Sequence, residues 1–165
     1  LHRVDRRQRQ MCIRDRAGTA ELDPNRALFE LLRNLLAALS RGGPAGILLC
    51  QFEIRLLGLL GVMPRLDRCA GCGRQRLEGQ AGLFSASAGG LVCRKCRQER
   101  HQGLPVSGKA LDALLSLTTC EEPHAGQAET LNSQGREMRR LLRAYWAHVL
   151  GREPRSMRWA PCVAG

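Results

Sequence analysis

Two pairs of cysteines constrain the fold of this chain more than any other feature of its sequence. Cys69 and Cys72 form one CxxC pair, Cys93 and Cys96 form the other, and twenty residues lie between the pairs. A tetrahedral zinc ion takes four ligands at about 2.3 Å, and a two-residue spacer lets one tight turn present both sulfurs to the ion. Because no other residues offer four ligands at workable spacing, we predict one structural zinc ion held by these four cysteines.

The segment between the pairs is typical of a short β-hairpin. Residues 83–85 and 91–92 have strand-like side chains and flank the turn sequence Ala-Gly-Gly at 88–90. Gly71 and Gly73 lie in the first cysteine turn, where backbone positions with positive φ favour glycine. The hairpin and the cysteine turns together predict a zinc ribbon, inserted at about residues 66–100.

A disulfide framework and a thiol redox site are the alternative interpretations of the cysteines. Disulfides are typical of secreted proteins, but residues 1–16 contain six arginines and no apolar segment of the kind found in a secretory signal. A thioredoxin-like redox site uses a single CxxC at the start of a helix, whereas here two pairs surround a hairpin. The pattern therefore favours a metal site.

The chain is strongly basic, and its charge is unevenly distributed. The formal net charge is +11 over 165 residues, and residues 64–103 and 136–158 each carry +5. Basic surfaces of this kind favour a polyanion such as nucleic acid. We predict sequence-independent, salt-sensitive contacts to DNA phosphates from the basic residues around the ribbon. These residues are Arg68, Arg74, Arg76, Arg94, Lys95, Arg97 and Arg100.

Composition and hydropathy favour a globular chain outside the membrane. Hydrophobic residues make up 44% of the sequence, enough for a substantial core. The apolar run 47–50 is followed closely by Gln51, Glu53 and Arg55, and it is far shorter than the roughly twenty residues that a membrane span requires. We expect a cytoplasmic protein that makes no membrane contact.

Residues 1–16 differ in composition from everything that follows. They show neither a helical nor a strand period. One interpretation is a basic arm that binds nucleic acid, and the other is a segment foreign to the domain, which the missing periodicity favours. We interpret them as a foreign or disordered basic arm and residues 17–165 as the domain.

Helical periodicity dominates that domain and predicts a mainly α fold, a helical bundle into which the ribbon is inserted. The first helix has Asp23 as its predicted cap and Pro24 at its first position, and its leucines form a wide apolar stripe. A second helix over residues 44–60 is apolar on nearly every side and is predicted to be central and buried. Glu53 and Arg55 within it are predicted to form structural pairs.

Two further helices follow the ribbon. Ser107 predicts the cap of the third helix, and the last helix is predicted from about Ser133 to Leu150 after a loop at residues 121–126. An apolar stripe on the last helix consists of Met138, Leu141, Leu142, Tyr145 and Val149. Four arginines lie largely off that stripe, namely Arg136, Arg139, Arg140 and Arg143. Charge beside an apolar stripe predicts a partner-binding face, and the alternative is a buried stripe with solvated arginines.

Motifs of catalysis are missing from the sequence. It contains no GxSxG, no P-loop and no HExxH motif. The four histidines are isolated from one another, and so are Cys50, Cys120 and Cys162, of which we interpret Cys50 as part of the core. We predict that the chain is not an enzyme.

Several segments resemble one known family. Residues 52–69, FEIRLLGLLGVMPRLDRC, are similar to the helix-to-ribbon junction of RecO, a family of bacterial DNA-repair and recombination mediators. The resemblance continues at residues 84–85 (FS), at residues 89–93 with Gly-Gly ahead of a cysteine, and over residues 142–156, which begin LRAY. It covers about residues 21–160 in the right order and corresponds to the C-terminal helical and zinc-ribbon part of the family.

The resemblance implies a non-enzymatic function. Family members bind single- and double-stranded DNA, promote annealing, and work with RecR and single-strand-binding protein to load RecA on the nucleoid. Their helical part captures the acidic, phenylalanine-ended tail of single-strand-binding protein, which would here dock on the arginines of the last helix.

Two departures from the family pattern qualify these expectations. Family members begin with an oligonucleotide-binding (OB) β-barrel, but nothing in this sequence predicts five strands, so we expect a fragment without the barrel. Pro154 stands where the family usually has an apolar residue, so packing after the last helix is expected to differ. The competing class is a zinc-ribbon domain that binds nucleic acid or protein outside repair. Binding to RecR but not to RNA polymerase would distinguish the two.

Overall fold

A computed structural model describes residues 25–97, 103–120 and 125–153, with the backbone alone for residues 125–133. The helices in these residues are α1 (Arg26–Ser40), α2 (Ala45–Leu59), α3 (Arg94–Arg97), α4 (Gly108–Thr119) and α5 (Ala125–Leu150). The strands are β1 (Arg65–Cys69), β2 (Gly82–Ser85), β3 (Gly90–Val92) and β4 (Leu104–Val106). The expectations for residues 1–16, Asp23, Pro24, Arg100 and Pro154 lie outside the described residues.

Two helices begin where local sequence signals predict. α2 follows Pro44, and most of its residues are buried, among them Ile54 and Leu57 with no exposed surface. The prediction of a central buried helix is therefore confirmed. α4 is capped by Ser107, whose Oγ accepts a hydrogen bond from the backbone amide of Ala110 at 3.3 Å.

α1 lies at the edge of the bundle, where it packs on α2. Its cap is Asn25 rather than the predicted Asp23, and the Asn25 Oδ1 accepts a backbone amide hydrogen bond at 3.0 Å. The predicted apolar stripe is present, but Phe29, Leu32 and Leu36 remain 63%, 43% and 58% exposed. A helix that packs mainly on one neighbour among the described elements leaves part of a wide stripe uncovered.

α5 is longer than the sequence predicts, because it begins at Ala125 rather than near Ser133. Asn132 and Ser133 are favourable caps, but each is also tolerated inside a helix at a cost of at most about 0.7 kcal/mol. An N-cap residue is thus only a weak signal for the start of a helix, and the predicted start near Ser133 was wrong for that reason.

The four strands form one sheet in the order β1-β3-β2-β4. β2 and β3 form the predicted hairpin, with Phe84 opposite Leu91 and Ser85 opposite Gly90. β4 pairs antiparallel with β2, and β1 pairs parallel with β3. The sheet is larger than predicted, since β1 and β4 are added on either side of the hairpin. β4 contains Pro105, a residue tolerated in strands mainly at a sheet edge.

One hydrophobic core joins the inner face of the sheet to α2, α4 and α5. Phe84 of β2 meets Tyr145 of α5 edge to face, with ring centroids 5.7 Å apart. The Tyr145 hydroxyl also donates to the carbonyl oxygen of Val62 at 2.9 Å. These contacts fix the sheet that carries the cysteines onto the helical bundle. In the part of the chain that the structure describes, no helix has the length and apolar character needed to cross a membrane.

Candidate metal centre and its basic surroundings

The fold brings the four predicted cysteines into one cluster. The Sγ atoms of Cys69, Cys72, Cys93 and Cys96 all lie within 4.8 Å of one another. Cys69 ends β1, Cys93 follows β3, and Cys96 lies on the one-turn helix α3. Since β1 and β3 are neighbours in the sheet, the pairing of these strands sets the two cysteine turns side by side.

Backbone hydrogen bonds shape the first cysteine turn. The amide of Gly73 donates to the carbonyl of Cys69 at 2.9 Å, and the amide of Cys69 donates to the carbonyl of Arg74 at 2.8 Å. Gly73 has φ of 75°, as the sequence predicts. Gly71 does not adopt positive φ; it is needed because a Cβ there would approach the Cys96 Sγ to 3.1 Å. The reason predicted for Gly71, a positive φ, was therefore wrong. The position favours glycine because there is little space beside the sulfurs.

The pKa values of the thiols reflect their crowding. Burial tends to raise the pKa of Cys69, but hydrogen bonds from backbone amides outweigh that effect and lower the pKa to about 6. One of these donors is the Cys93 amide, 3.3 Å from the Cys69 Sγ. The adjacent sulfurs of Cys93 and Cys72 raise the pKa of Cys96 to about 12. Amide donors thus stabilise a first thiolate, while full deprotonation of the cluster requires a cation at its centre.

The spacing of the sulfurs fits a tetrahedral metal ion. Metal–sulfur bonds of about 2.3 Å in tetrahedral geometry place the sulfurs about 3.8 Å apart, and the Sγ atoms of Cys72 and Cys93 are 3.7 Å apart. Four thiolates gathered around one point, here all within 4.8 Å of one another, are typical ligands of zinc or of iron. The cluster could therefore hold one metal ion with little rearrangement.

Most of the basic residues predicted to contact DNA surround this cluster on its exposed side. Arg68 and Arg74 flank the first cysteine turn, and α3 carries the others beside the second pair. Arg68 also pairs with Asp67, Nη2 to Oδ2 at 2.7 Å, and this hydrogen bond lowers the pKa of the Asp67 carboxyl. The exposed residues are Arg68, Arg74, Arg94, Lys95 and Arg97.

Arg76 has a different position from the other predicted DNA contacts. Its side chain is only 8% exposed and forms an ion pair with Asp112 of α4. It also donates to the carbonyl oxygens of Leu66, Leu77 and Gln80 at 3.2, 3.1 and 3.0 Å. We correct the prediction for this residue, because its donors are used in holding the ribbon to α4. The sequence offered no signal for Asp112 as its partner.

Truncation of Arg76 is expected to loosen the ribbon from the helical bundle. Hydrogen bonds to charged groups contribute about 1.5–3 kcal/mol each when one partner is removed, so Arg76→Ala should lower the free energy of unfolding by about 3 kcal/mol in urea titration. The exposed neighbour Arg74→Ala is the control and should change it by less than about 0.5 kcal/mol. Equal effects of the two variants would contradict this role of Arg76.

The arginines of α5 also divide into two groups. Arg139 is buried and forms an ion pair with Glu53 of α2, which explains the charged residue in that apolar helix and confirms its predicted structural pairing. Arg55 is likewise structural, since its Nε donates to the carbonyl of Leu117 at 3.2 Å. The exposed arginines of the predicted partner face are Arg136, Arg140 and Arg143.

The apolar stripe beside these arginines is not available to a partner. Met138, Leu141 and Leu142 have no exposed surface, and Tyr145 is 6% exposed. The expectation of an exposed stripe was wrong, because that face of α5 packs in the core against α2, α4 and the sheet. What remains on the outside is charge, and the Nη2 atom of Arg143 lies 2.6 Å from the Oε1 atom of Glu153.

The sequence matches a family of known proteins and several of its members. The matching family model is described as Recombination protein O C terminal and covers residues 16–158. The chain is 40% identical over 129 residues to the DNA repair protein RecO of Anaeromyxobacter sp. (strain K), a match that covers 78% of this chain and 50% of that protein. No solved structure matches the chain at a significant level.

Two further relatives give the same result. The DNA repair protein RecO of Bacillus pumilus (strain SAFR-032) is 34% identical over 134 residues, covering 81% of this chain and 51% of the relative. The protein of the same name from Roseiflexus sp. (strain RS-1) is 34% identical over 143 residues, covering 87% and 50%. The chain thus spans about half the length of these relatives. Because the family model covers both the cysteine cluster and the helices around it, this chain belongs to the RecO family, in its C-terminal domain.

Proposed function

We propose that this chain is the DNA-binding C-terminal part of a RecO-type repair mediator and acts without catalysis. The observation that carries the proposal is the group of exposed basic residues around the four-thiol cluster, in a chain of this family. In this role it binds single- and double-stranded DNA, promotes annealing, and acts with RecR and single-strand-binding protein to load RecA in recombinational repair. Recombinational repair of this kind takes place in the cytoplasm, on the nucleoid.

We propose zinc as the metal of the cluster, with a structural role. Four cysteine thiolates are typical of structural zinc sites, and a complete shell of four protein ligands leaves no open position for a substrate. The ion would hold the two cysteine turns together. It would thereby keep Arg68 and Arg74 of the first turn next to the arginines of α3.

DNA binding through these residues should be strongly salt-dependent. Each phosphate neutralised on duplex DNA contributes a slope of about −0.9 to the dependence of log K on log salt concentration. Arg74→Ala and Arg97→Ala should therefore each reduce the magnitude of that slope by about 0.9, similarly for unrelated sequences. Fluorescence anisotropy with a labelled duplex between 50 and 200 mM salt, the range over which such contacts are commonly resolved, measures it.

Arg76→Lys serves as the matched control in the same titration. It keeps the positive charge at a side chain that contacts protein rather than solvent, so the slope should stay at the wild-type value. A salt-independent affinity of the wild type would reject the proposed phosphate contacts.

We propose further that the exposed arginines of α5 attract the acidic tail of single-strand-binding protein. With the apolar stripe buried, attraction at this face depends on charge, and exposed ion pairs are individually weak, about 0.2–1 kcal/mol each. A triple Arg136, Arg140, Arg143→Glu variant should therefore lower the affinity for a labelled tail peptide by about tenfold in anisotropy measurements.

The matched control for that variant changes charge elsewhere. A triple Arg74, Arg94, Arg97→Glu variant alters the same number of charges at the ribbon and should keep more of the tail affinity. If the α5 variant binds the tail as tightly as the wild type, the tail docks elsewhere.

A zinc-ribbon domain that binds protein or nucleic acid outside repair is the competing function. Pull-down of purified RecR and of purified RNA polymerase with the chain separates the two functions. Retention of RecR alone supports the repair role, and retention of RNA polymerase alone supports the competing one.

A further inference from the structure

An open groove lies beside the cysteine cluster, between the cysteine turns and the outer face of the sheet. Its volume is about 540 Å³, within the range of roughly 300–1,000 Å³ typical of sites for small organic groups. Five arginines line this depression, which we call the ribbon groove, and four of them are exposed. The exposed ones are Arg68, Arg74, Arg94 and Arg97, and the fifth is Arg76, whose side chain is almost buried.

The floor of the ribbon groove is apolar, and the strand register explains why. Leu83 of β2 lies opposite Val92 of β3 and opposite Pro105 of β4, and residues directly opposite one another share a face of a sheet. All three line the groove, whereas the next residue of β2, Phe84, points into the core. Pro105 is exposed and Leu83 is half-buried, so both offer apolar surface between the arginines.

The charged residues that line the ribbon groove are all positive. None of the described residues that line the groove is acidic. Asp67 pairs with Arg68 at the rim, and Asp112, which does not line the groove, pairs with the lining residue Arg76. The groove thus has an excess of positive charge on its rim over an apolar floor.

We propose that the ribbon groove binds a single DNA strand, with its phosphates on the rim arginines and a base against Leu83 and Pro105. This proposal rests on the proposed DNA binding and specifies its form. Arginine's planar fork matches phosphate oxygens in a bidentate way. A duplex presents phosphates on the outside and keeps its bases paired and stacked, so it contacts the rim and leaves the floor uncovered.

The sheet edge favours a nucleic acid over an acidic peptide as the occupant. Extended peptides commonly bind by adding a strand to an exposed edge, using backbone hydrogen bonds. The edge strand β4 contains Pro105 in a stretch of three residues, and proline has no N–H to donate. A peptide would thus find a short and incomplete ladder, whereas a nucleic-acid strand needs only the charges and the floor.

The experiment compares three labelled ligands of equal charge with the full chain. They are an oligothymidylate, an abasic strand with the same phosphates, and an acidic peptide that contains leucine. We expect the oligothymidylate to bind about tenfold more tightly than the abasic strand, as expected for a base that buries roughly 55 Å² of apolar surface on the floor. Leu83→Ala should reduce that ratio about fivefold, as expected for roughly 40 Å² of apolar contact. The matched control Leu36→Ala, at an exposed leucine of α1, should leave it unchanged.

The outcomes separate this proposal from the one it rests on. If the chain binds no DNA at all, the proposed function fails. If it binds the abasic strand or a duplex as tightly as the oligothymidylate, phosphate binding stands and the single-strand groove is overturned. Tighter binding of the peptide than of the oligothymidylate would assign the groove to a protein partner instead. The wild-type comparison decides these outcomes even if Leu83→Ala does not fold.

Discussion

The Cys96→Ser variant is expected to purify without stoichiometric zinc and with an unfolded ribbon. Structural zinc contributes on the order of 10–16 kcal/mol of binding free energy to a small module, which is comparable to the total stability of a typical domain, about 5–15 kcal/mol. The ribbon depends on that term because its strands are only three to five residues long. Elemental analysis of the purified protein should find one zinc per wild-type chain and much less in the variant.

Cys120→Ser provides the matched control. Cys120 lies at the end of α4, outside the cluster, so this variant should keep its zinc.

Thiol alkylation gives a second readout, because chelation should expose the four cluster thiols. Cys50 should stay unreactive as long as α2 is folded, since it has no exposed surface and burial raises its pKa to about 12. Iron in the wild type, or one zinc per chain in Cys96→Ser, would reject the zinc proposal.

Arg139→Ala is expected to lower the free energy of unfolding by about 3–5 kcal/mol at pH 7. Removing one partner of a buried ion pair leaves the other charge unpaired in the core, which is strongly destabilising. Here the remaining charge would be Glu53, 9% exposed on the central helix. Urea titration followed by circular dichroism measures the change. Arg140→Ala, one residue along α5 and exposed, should change stability by less than about 0.5 kcal/mol.

The pH dependence of Arg139→Ala tests the same cause. Burial raises the pKa of Glu53, and the Arg139 guanidinium opposes that shift, so the pKa of Glu53 in the folded variant should rise further. A folded state that holds a proton more tightly than the unfolded state loses stability as the pH rises. The deficit should thus be largest at pH 7 and shrink toward about pH 4.3, the ordinary pKa of glutamate.

A second substitution should rescue the Arg139 variant. Replacing both members of a buried ion pair by apolar residues is often neutral or stabilising, so Glu53→Leu combined with Arg139→Met should recover most of the lost stability. Additive losses from the two substitutions would show that the residues act independently, contrary to the ion pair seen here.

Local signals were sufficient for much of the fold and for the cysteine cluster. The CxxC spacing, the glycines of the turns and the hairpin between them all act within a few residues, so the pattern predicts them directly. The same holds for the Ser107 cap of α4 and for the apolar stripe of α5, since each depends on one helical period. The resemblance to RecO rests on residues 52–69, 84–85, 89–93 and 142–156, which lie in α2, the ribbon and the end of the chain from α5 onward.

The roles of individual arginines required the tertiary structure. In sequence Arg76 and Arg139 look like their exposed neighbours, but their carboxylate partners lie 36 and 86 residues away. The ribbon groove is also a product of the fold, because strand pairing sets Leu83 against Pro105 across a gap of 22 residues. The spacing of residues along the chain determined the cysteine cluster and the positions of most of the helices. Packing between distant segments determined which charges are buried as pairs and which remain exposed, because burying a charge is favourable only where the fold supplies its partner.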